Sequence, residues 1–505
     1  MKDSTEGASK FIVSVTVIMA TVMVVMDMTV ANVALPRMEG ALGASSEQIT
    51  WVLTGYIVTQ AIFIPLTGYF SRLLNEKRLM LVSVIGFVVT SALCGQADSL
   101  GAIVLYRVFQ GIFGAFIVPL SQSILANTYP REELGKAMAL WGMGVMLGPI
   151  MGPTIGGYVT ENLSWRWVFY INVPVGLLTI LLIQTSIKPT KAEPGKINWL
   201  TISLMAVGIG AFQMVLDQGQ QYNWFKSPYI QMLGFISVVA LVLFIRRAWS
   251  DESRIVNIQL LKDRNLALAS FIGMTFGLGM FGMIMIQPML YEGLLNYSTE
   301  TAGLVMAPRG LASAVSMFVV SKIIDRYDPR KIIFLGIILS AIGTYFTTQY
   351  SMAIDLWWAT FPGIIQGFGL GLIFVPLATL AYASIDPKYS VDAAGLFNLA
   401  RNLGSSIGIS VASAVLIKSN QANWNNLGGN ISPYNSALQN WADKIGLSLE
   451  SPVTTEILGL QLKQQAYMSA FVDTLQFIMW SFLFMSPLLL LIKWKPKADM
   501  VVPDK

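Results

Sequence analysis

Apolar positions in this chain come in long blocks divided by short charged stretches. Fourteen blocks stand out, at 11–35, 49–70, 79–97, 101–126, 136–160, 165–187, 197–217, 228–246, 265–291, 299–321, 331–350, 356–383, 391–418 and 470–492. Each approaches the about 20 mostly apolar residues that a helix needs to cross a bilayer core. In lipid every backbone polar group must be satisfied inside its own segment, so these blocks predict helices. A membrane β-barrel would show short alternating segments instead. The first block is too long for the core of a cleaved signal peptide and lacks a small-residue cleavage site before a soluble domain.

The charges between the blocks give an orientation. With the N-terminus in the cytoplasm, the inner segments hold 24 of the 33 Lys and Arg and the outer segments hold 5. The other 4, Arg107, Arg309, Arg401 and Lys418, fall inside blocks. Positive charge gathers on the cytoplasmic side of membrane proteins, so this bias opposes the inverted topology and predicts both termini inside. The connections are short except 420–469 on the outer side, rich in Asn and broken by Pro433 and Pro452. A loop of that length is functional or disordered. It is read either as a solvated, partly helical segment or as a docking surface for an external partner.

Composition narrows the chemistry. The 505 residues are 54% hydrophobic and 12% charged, with a mean hydropathy of +0.61; a soluble domain carries about 25% charged residues. A single cysteine excludes a disulfide framework or Cys-rich metal site. The absence of histidine removes imidazole relays and His-ligated metals, leaving proton chemistry to carboxylates. The net charge of +5 follows from the loop bias and requires no nucleic acid.

Charges at membrane depth are costly and mark function by default. Asp27 lies nine residues before Pro36 at the outer end of the first block, and Arg107 about seven residues below the outer end of the fourth. At 1.5 Å per residue both sit roughly 10–14 Å below the outer surface. They have opposite sign and matching depth. One reading is a static ion pair that fixes helix packing. The other is a protonation switch in which Asp27 is charged facing water or Arg107 and neutral when its cavity closes. Asp217 and Asp473 lie at block ends and read as interfacial. Arg309 and Arg401 lie about ten residues into their blocks. Each is read either as a structural hydrogen-bonding group, with Asn398 or Asn402 as a neighbouring partner, or as part of gating or ligand contact. Further polar candidates at mid-membrane are Gln60, Gln110, Gln287 and Gln366.

The fifth block reads WGMGVMLGPIMGPTIGGY, with Gly148, Gly152, Gly156 and Gly157 beside Pro149 and Pro153. Glycines every four residues allow close helix approach, and prolines remove backbone bonds and kink the helix. A tight helix pair accounts for part of this, but two GP pairs in register suit a helix that closes one end of a cavity. The run from Gly148 to Gly157 resembles the antiporter signature of the major facilitator superfamily. LYRVFQGIFGA from Leu105 to Ala115 is similar to that superfamily's fourth-helix motif. MDMTVANVALP from Met26 to Pro36 and WRWVFYINVPVG from Trp165 to Gly176 resemble signatures of the fourteen-span drug:proton antiporters, EmrB-type multidrug exporters in particular.

The chain departs from that superfamily in the loop between the second and third blocks. There Arg72 stands where the superfamily carries an Asp, which puts an inner-face charge latch in doubt for the first half. The corresponding second-half loop keeps Asp325 beside Arg326. Two loops sharing a pattern in matching positions indicate an internal repeat.

The resemblance implies an all-α membrane protein with the major facilitator fold. Residues 1–187 would form an N-terminal six-helix bundle and 251–505 a C-terminal one. A linker and two extra transmembrane helices would occupy 188–250, and 420–469 would be a periplasmic loop. Alternating access would rock one bundle against the other around a midplane site. The implied partners are small-molecule substrates and protons, with an EmrA-type periplasmic adaptor and an outer-membrane channel, in the bacterial inner membrane. Asp27 and Arg107 are assigned to proton coupling. Gln60, Gln110, Gln287, Gln366, Asn398 and Arg401 are assigned to substrate contact. Gly148, Pro149, Gly152, Pro153, Gly156, Gly157, Asp325 and Arg326 are assigned to gating. Met274, Met280, Met283, Met285 and Met289 would suit an adaptable apolar pocket, although core or lipid-facing packing explains any one of them. No cofactor or metal is expected. No phosphate-binding GxxxxGK[ST] loop is present for an ATP-driven pump, and an enzyme would need clustered nucleophiles, acids or metal ligands. A proton-coupled transporter of a specific metabolite or siderophore, working without partners, remains the alternative.

Overall fold

The computed structural model describes residues 2–130, 133–190, 192, 198–250, 255–324, 326–432, 434–445, 448 and 451–493. Helices account for nearly all of these residues, and no strand occurs among them. Fourteen helices define the architecture. The first six are α1 (Lys2–Leu42), α2 (Trp51–Phe63), α3 (Glu76–Gln96), α4 (Leu100–Thr128), α5 (Leu134–Asn162) and α6 (Asn172–Ser186). Then come α7 (Trp199–Gln218) and α8 (Pro228–Ser250). The last six are α9 (Arg264–Pro288), α10 (Thr299–Ile323), α11 (Pro329–Thr347), α12 (Leu356–Ala383), α13 (Ser390–Gly428) and α14 (Pro452–Phe484). Among the described residues thirteen helical stretches are long and apolar enough to cross a membrane, with α2 joined to its flanking turns over Glu47–Leu74 and α6 to the preceding turn over Trp167–Ser186. The exception is α5, the 29-residue glycine-bearing helix, some of whose side chains lie outside the described residues.

The short polar loops start these helices by capping them. Ser99 Oγ accepts a hydrogen bond from the Ala102 amide, Asp263 Oδ1 from Leu266 and Asp355 Oδ1 from Trp358. Each satisfies an otherwise orphaned donor of the first turn. Asn75 takes a left-handed φ of 65° between the short helix Thr67–Leu74 and α3, and its Oδ1 accepts from the Arg78 amide.

Helices α1 to α6 pack on one another, with α1 against α4, α5 and α6. Helices α9 to α14 form a second group, built on the α9–α13 and α10–α12–α11 contacts. The groups meet where α5 packs on α10 and α12, and where α13 packs on α4 and the turn Ile64–Leu66. Helix α7 pairs with α8 and touches both groups, through α2 on one side and α13 on the other.

The stretch at 420–469 is more helical than its polarity suggested. Helix α13 runs 39 residues to Gly428, a short helix spans Ser436–Ile445, and α14 begins at Pro452. At 1.5 Å per residue α13 is about 58 Å long, nearly twice a 30 Å hydrocarbon core. Its Asn-rich end therefore continues past the apolar block as solvated helix. The expected linker at 188–196 lies largely outside the described residues, as do 494–505.

Candidate functional site

The first group closes around Asp27, which is 1% exposed. Helix α4 brings Arg107 to it, with Nη1 2.5 Å from Oδ2. One turn further along α4, Gln110 donates through Nε2 to Asp27 Oδ1 at 3.0 Å and accepts from Arg107 Nη1 at 2.8 Å. Asn172, at the start of α6, donates to Asp27 Oδ1 at 2.8 Å and to Ser91 Oγ at 3.0 Å. The carboxylate thus accepts from three donors on two helices, an arrangement suited to its ionised form. Arg107 Nε donates to the Val52 carbonyl at 3.1 Å, and its guanidinium lies 4.3 Å from the Tyr56 ring centroid. Sequence spacing had put Asp27 and Arg107 at one depth. The structure places them in direct contact, with Gln110 bonded to both. Asn172 was not singled out, although it sits inside the quoted WRWVFYINVPVG run. An amide in mid-block was its signal.

The remaining polar candidates divide. Gln60 is buried on α2, its Nε2 3.4 Å from Tyr56 Oη. Gln287 accepts from Arg309 Nη1 at 2.6 Å, inside the second group. Gln366 donates to Thr344 Oγ1 at 2.8 Å, also inside that group. Asn398 reaches across the seam instead: its Nδ2 donates to Gln122 Oε1 of α4, which also accepts from Tyr382 Oη at 2.9 Å. The Arg401 guanidinium sits 5.5 Å from the ring centroid of Phe374. Phe374 in turn stacks on Trp141 of α5 at 5.8 Å with the planes 15° apart. Polar and aromatic bridges therefore link the groups. Gln122 and Tyr382 were missed, because their partners are more than 250 positions away along the chain.

The glycine stripe of α5 faces α1. Cβ atoms at Gly148, Gly152 and Gly156 would meet Val25, Thr29 and Val30, while Gly157 faces open space. Gly142, earlier on the same helix, lies against Met317 and Phe374 of the second group. Pro149 and Pro153 lie within the continuous α5 backbone, and their side chains are outside the described residues. Asp325 is also outside them, and Arg326 is exposed in the turn after α10.

The first-half loop carries a charge contact the sequence did not disclose. Arg72 Nη1 lies 2.5 Å from Asp392 Oδ2 at the start of α13. Nearby, the Ser123 and Ser390 hydroxyls are 2.8 Å apart, and Gly135 of α5 abuts Ile324. Arg72 therefore makes a charge contact between the groups at this loop. In the second half, Asp328 is held by Arg330 through Nε at 3.0 Å and Nη2 at 2.7 Å. Partial burial raises the Asp328 carboxyl, but the Arg330 side-chain and backbone hydrogen bonds outweigh this and hold it below the usual carboxylate range.

The family model described as Major Facilitator Superfamily matches residues 17–409. The multidrug export protein EmrB of Escherichia coli (strain K12) is 34% identical over 438 residues, covering 86% of this chain and 85% of that protein. EmrB of Haemophilus influenzae is 33% identical over 469 residues, covering 92% and 91%. Among solved structures, the proton:xylose symporter XylE superposes with a TM-score of 0.61 at 13% identity, over 97% of this chain and 100% of that one. This last likeness concerns the fold alone.

Proposed function

The chain belongs to the major facilitator superfamily, and from that premise we propose that it is a proton-coupled antiporter exporting apolar and amphiphilic compounds across a bacterial inner membrane. As a multi-pass membrane transporter similar to EmrB multidrug export proteins, it shares most of its length with them. The observation that carries the coupling role is the buried Asp27, bound by Arg107, Gln110 and Asn172 in a chain without histidine. Proton uptake by Asp27 would release three donors at once, on helices α4 and α6. A local protonation would thereby become a change in packing of the first bundle.

We count α5 as the fourteenth span. Its 29 residues correspond to about 43 Å of helix, which exceeds the bilayer core. The charge bias then places both termini in the cytoplasm, with bundles at 1–187 and 251–505 and the extra pair within 188–250. In this frame the contacts of Arg72 with Asp392 and of Ser123 with Ser390 close the cytoplasmic end between the bundles. Gly148, Gly152 and Gly156 supply a surface on which α5 slides against α1, Gly157, Pro149 and Pro153 belong to the same gating segment, and Asp325 with Arg326 form the matching second-half loop. Gln60, Gln287, Gln366, Asn398 and Arg401 supply polar groups around the path. The helical outer segment after α13 is the docking face for a periplasmic adaptor that leads to an outer-membrane channel.

The test is Asp27→Asn in proteoliposomes with an imposed proton gradient and a fluorescent amphiphilic substrate. Gradient-driven transport should fall at least tenfold while substrate binding persists. Full-rate, pH-dependent transport by the variant would overturn the assignment of Asp27.

A further inference from the structure

We propose that Arg401 selects substrates by charge, and that the path between the bundles takes amphiphiles carrying a carboxylate on an apolar body. This rests on the export reading above and names its substrate class. Arg401 is the twelfth residue of α13, about 17 Å from its start and near the middle of a 30 Å core. Its guanidinium is half-buried, lies over Phe374, and has no carboxylate or hydrogen-bond partner among the described residues. Arg107, the matching intramembrane cation of the first bundle, is paired with Asp27. A cation at this depth without a counter-charge is expensive, and such groups pair with an anion or face a polar cavity.

The surroundings show which way Arg401 faces. Asn398 and Asn402 lie three residues before it and one after, and Asn398 shares its helix face. Asn398 is bonded to Gln122 of the opposite bundle, so that face of α13 looks into the seam. Phe374, under the guanidinium, stacks on Trp141 of the opposite bundle and packs 5.9 Å from Phe276. Among the described residues the donors Gln122 Nε2 and Asn402 Nδ2 and the acceptor Asn398 Oδ1 are buried without a partner. An unpaired guanidinium fits an acceptor-only carboxylate, which can take two parallel bonds from Arg. The aromatic floor fits the apolar body. Arg309 offers a built-in comparison. It also lacks a carboxylate, but it is bonded to Gln287 and packed against Gly367 of α12 inside the second bundle.

The test uses the full-length protein in nanodiscs and two fluorescent probes, 11-(dansylamino)undecanoate and its methyl ester, corrected against empty nanodiscs. The acid should bind about tenfold tighter than the ester, the scale of a charge-assisted hydrogen bond. R401Q should bring the acid to the ester's affinity and leave the ester unchanged, and R401K should keep part of the preference. R309Q should leave the preference intact. Equal binding of acid and ester by the native chain overturns the proposal. So does an equal loss of both probes in R401Q, which would mean a packing role, or erasure of the preference by R309Q, which would mean a diffuse field. Loss of the preference when chloride replaces gluconate would assign the site to small inorganic anions instead. Gradient-driven ethidium efflux by the native chain is measured alongside. Its failure with the acid preference intact would count against the export reading and not against the site.

Discussion

Arg72 and Asp392 stand 320 positions apart in sequence, yet their side chains meet at 2.5 Å across the seam between the two bundles. The Asp392 side chain is 3% exposed, and a Cβ at Gly68 would overlap it, so the short helix bearing Arg72 must lie flat on the start of α13. A charge contact in such a position favours whichever conformation keeps that end closed.

Breaking this contact should open that end. The chain's single cysteine, Cys94, is fully buried, so a cysteine at Ser123 would report opening on its own. Arg72→Gln should raise the labelling rate of Ser123→Cys by a maleimide about tenfold, the scale of a hydrogen bond to a charged group. The exchange Arg72→Asp with Asp392→Arg should bring it back. Unchanged labelling in Arg72→Gln, or an exchange variant as open as the single one, would sink the latch.

The Asp27–Arg107 pair separates stability from coupling. Asp27→Asn leaves the guanidinium without a counter-charge, at a cost of about 3–5 kcal/mol. Adding Arg107→Gln should recover most of the thermal stability in detergent, because neither buried group is then charged. Gradient-driven transport should stay at least tenfold below native in both variants. Recovery of transport by the double variant would assign the pair to packing alone.

Helix α7 is tied to both bundles near one end. Thr54 of α2 donates to Asp217, Gln213 donates to Ser406 at 2.7 Å, and Ser410 donates to the Leu216 carbonyl at 2.6 Å. The extra helix pair is thus a strap across the seam, and loosening it should alter the transport rate. Asp217→Ala should change turnover several-fold and Asp217→Asn, which keeps an acceptor, much less. Equal rates in both variants and the native chain would remove the strap from the cycle.

Much of this architecture was legible because lipid imposes it. Thirteen of the fourteen blocks correspond to helical stretches long and apolar enough to cross a membrane, and depth counted from block ends placed Asp27 level with Arg107. What stayed hidden is pairing between distant segments. Arg72 read as a lost acidic residue because Asp392, at a block end, gave no sign of its partner. Gln122 lies four residues before the end of its block, where an amide gives no sign of a partner, and only tertiary packing sets it against Asn398 and Tyr382. The glycines of α5 drew notice by their number and face α1 in the same bundle, whereas Gly404 and Gly408, a single pair four residues apart, bring two backbones together in the second bundle.

Those two glycines carry a prediction of their own. A Cβ at Gly404 would overlap the Met274 carbonyl, and one at Gly408 the Leu278 carbonyl, so α13 lies directly on the α9 backbone. Gly404→Val should lower thermal stability by about 1–3 kcal/mol or more, as overpacking forces the helices apart. Gly157→Ala, where nothing lies within 4 Å, should be close to neutral. Similar melting temperatures for the two variants would contradict the α9–α13 contact.

The segment beyond the apolar part of α13 allows transport and delivery to be tested apart. Beyond the apolar part of α13, the chain forms a helical layer closed by Ser436–Ile445, with Ala442 buried. A cavity of about 310 Å³ opens there between Ile431, Leu438, Leu458 and Leu462. Exposed Tyr434 and Leu460 lie in the same outer segment. This layer lies outside the bundles that hold Asp27 and Arg401, so replacing 434–445 by a short Gly/Ser linker should leave gradient-driven uptake into everted vesicles within twofold of native. If the layer docks an adaptor, efflux from intact cells should fall at least tenfold. Loss of vesicle uptake would show that the layer supports the transporter itself, and unchanged cellular efflux would remove the docking role.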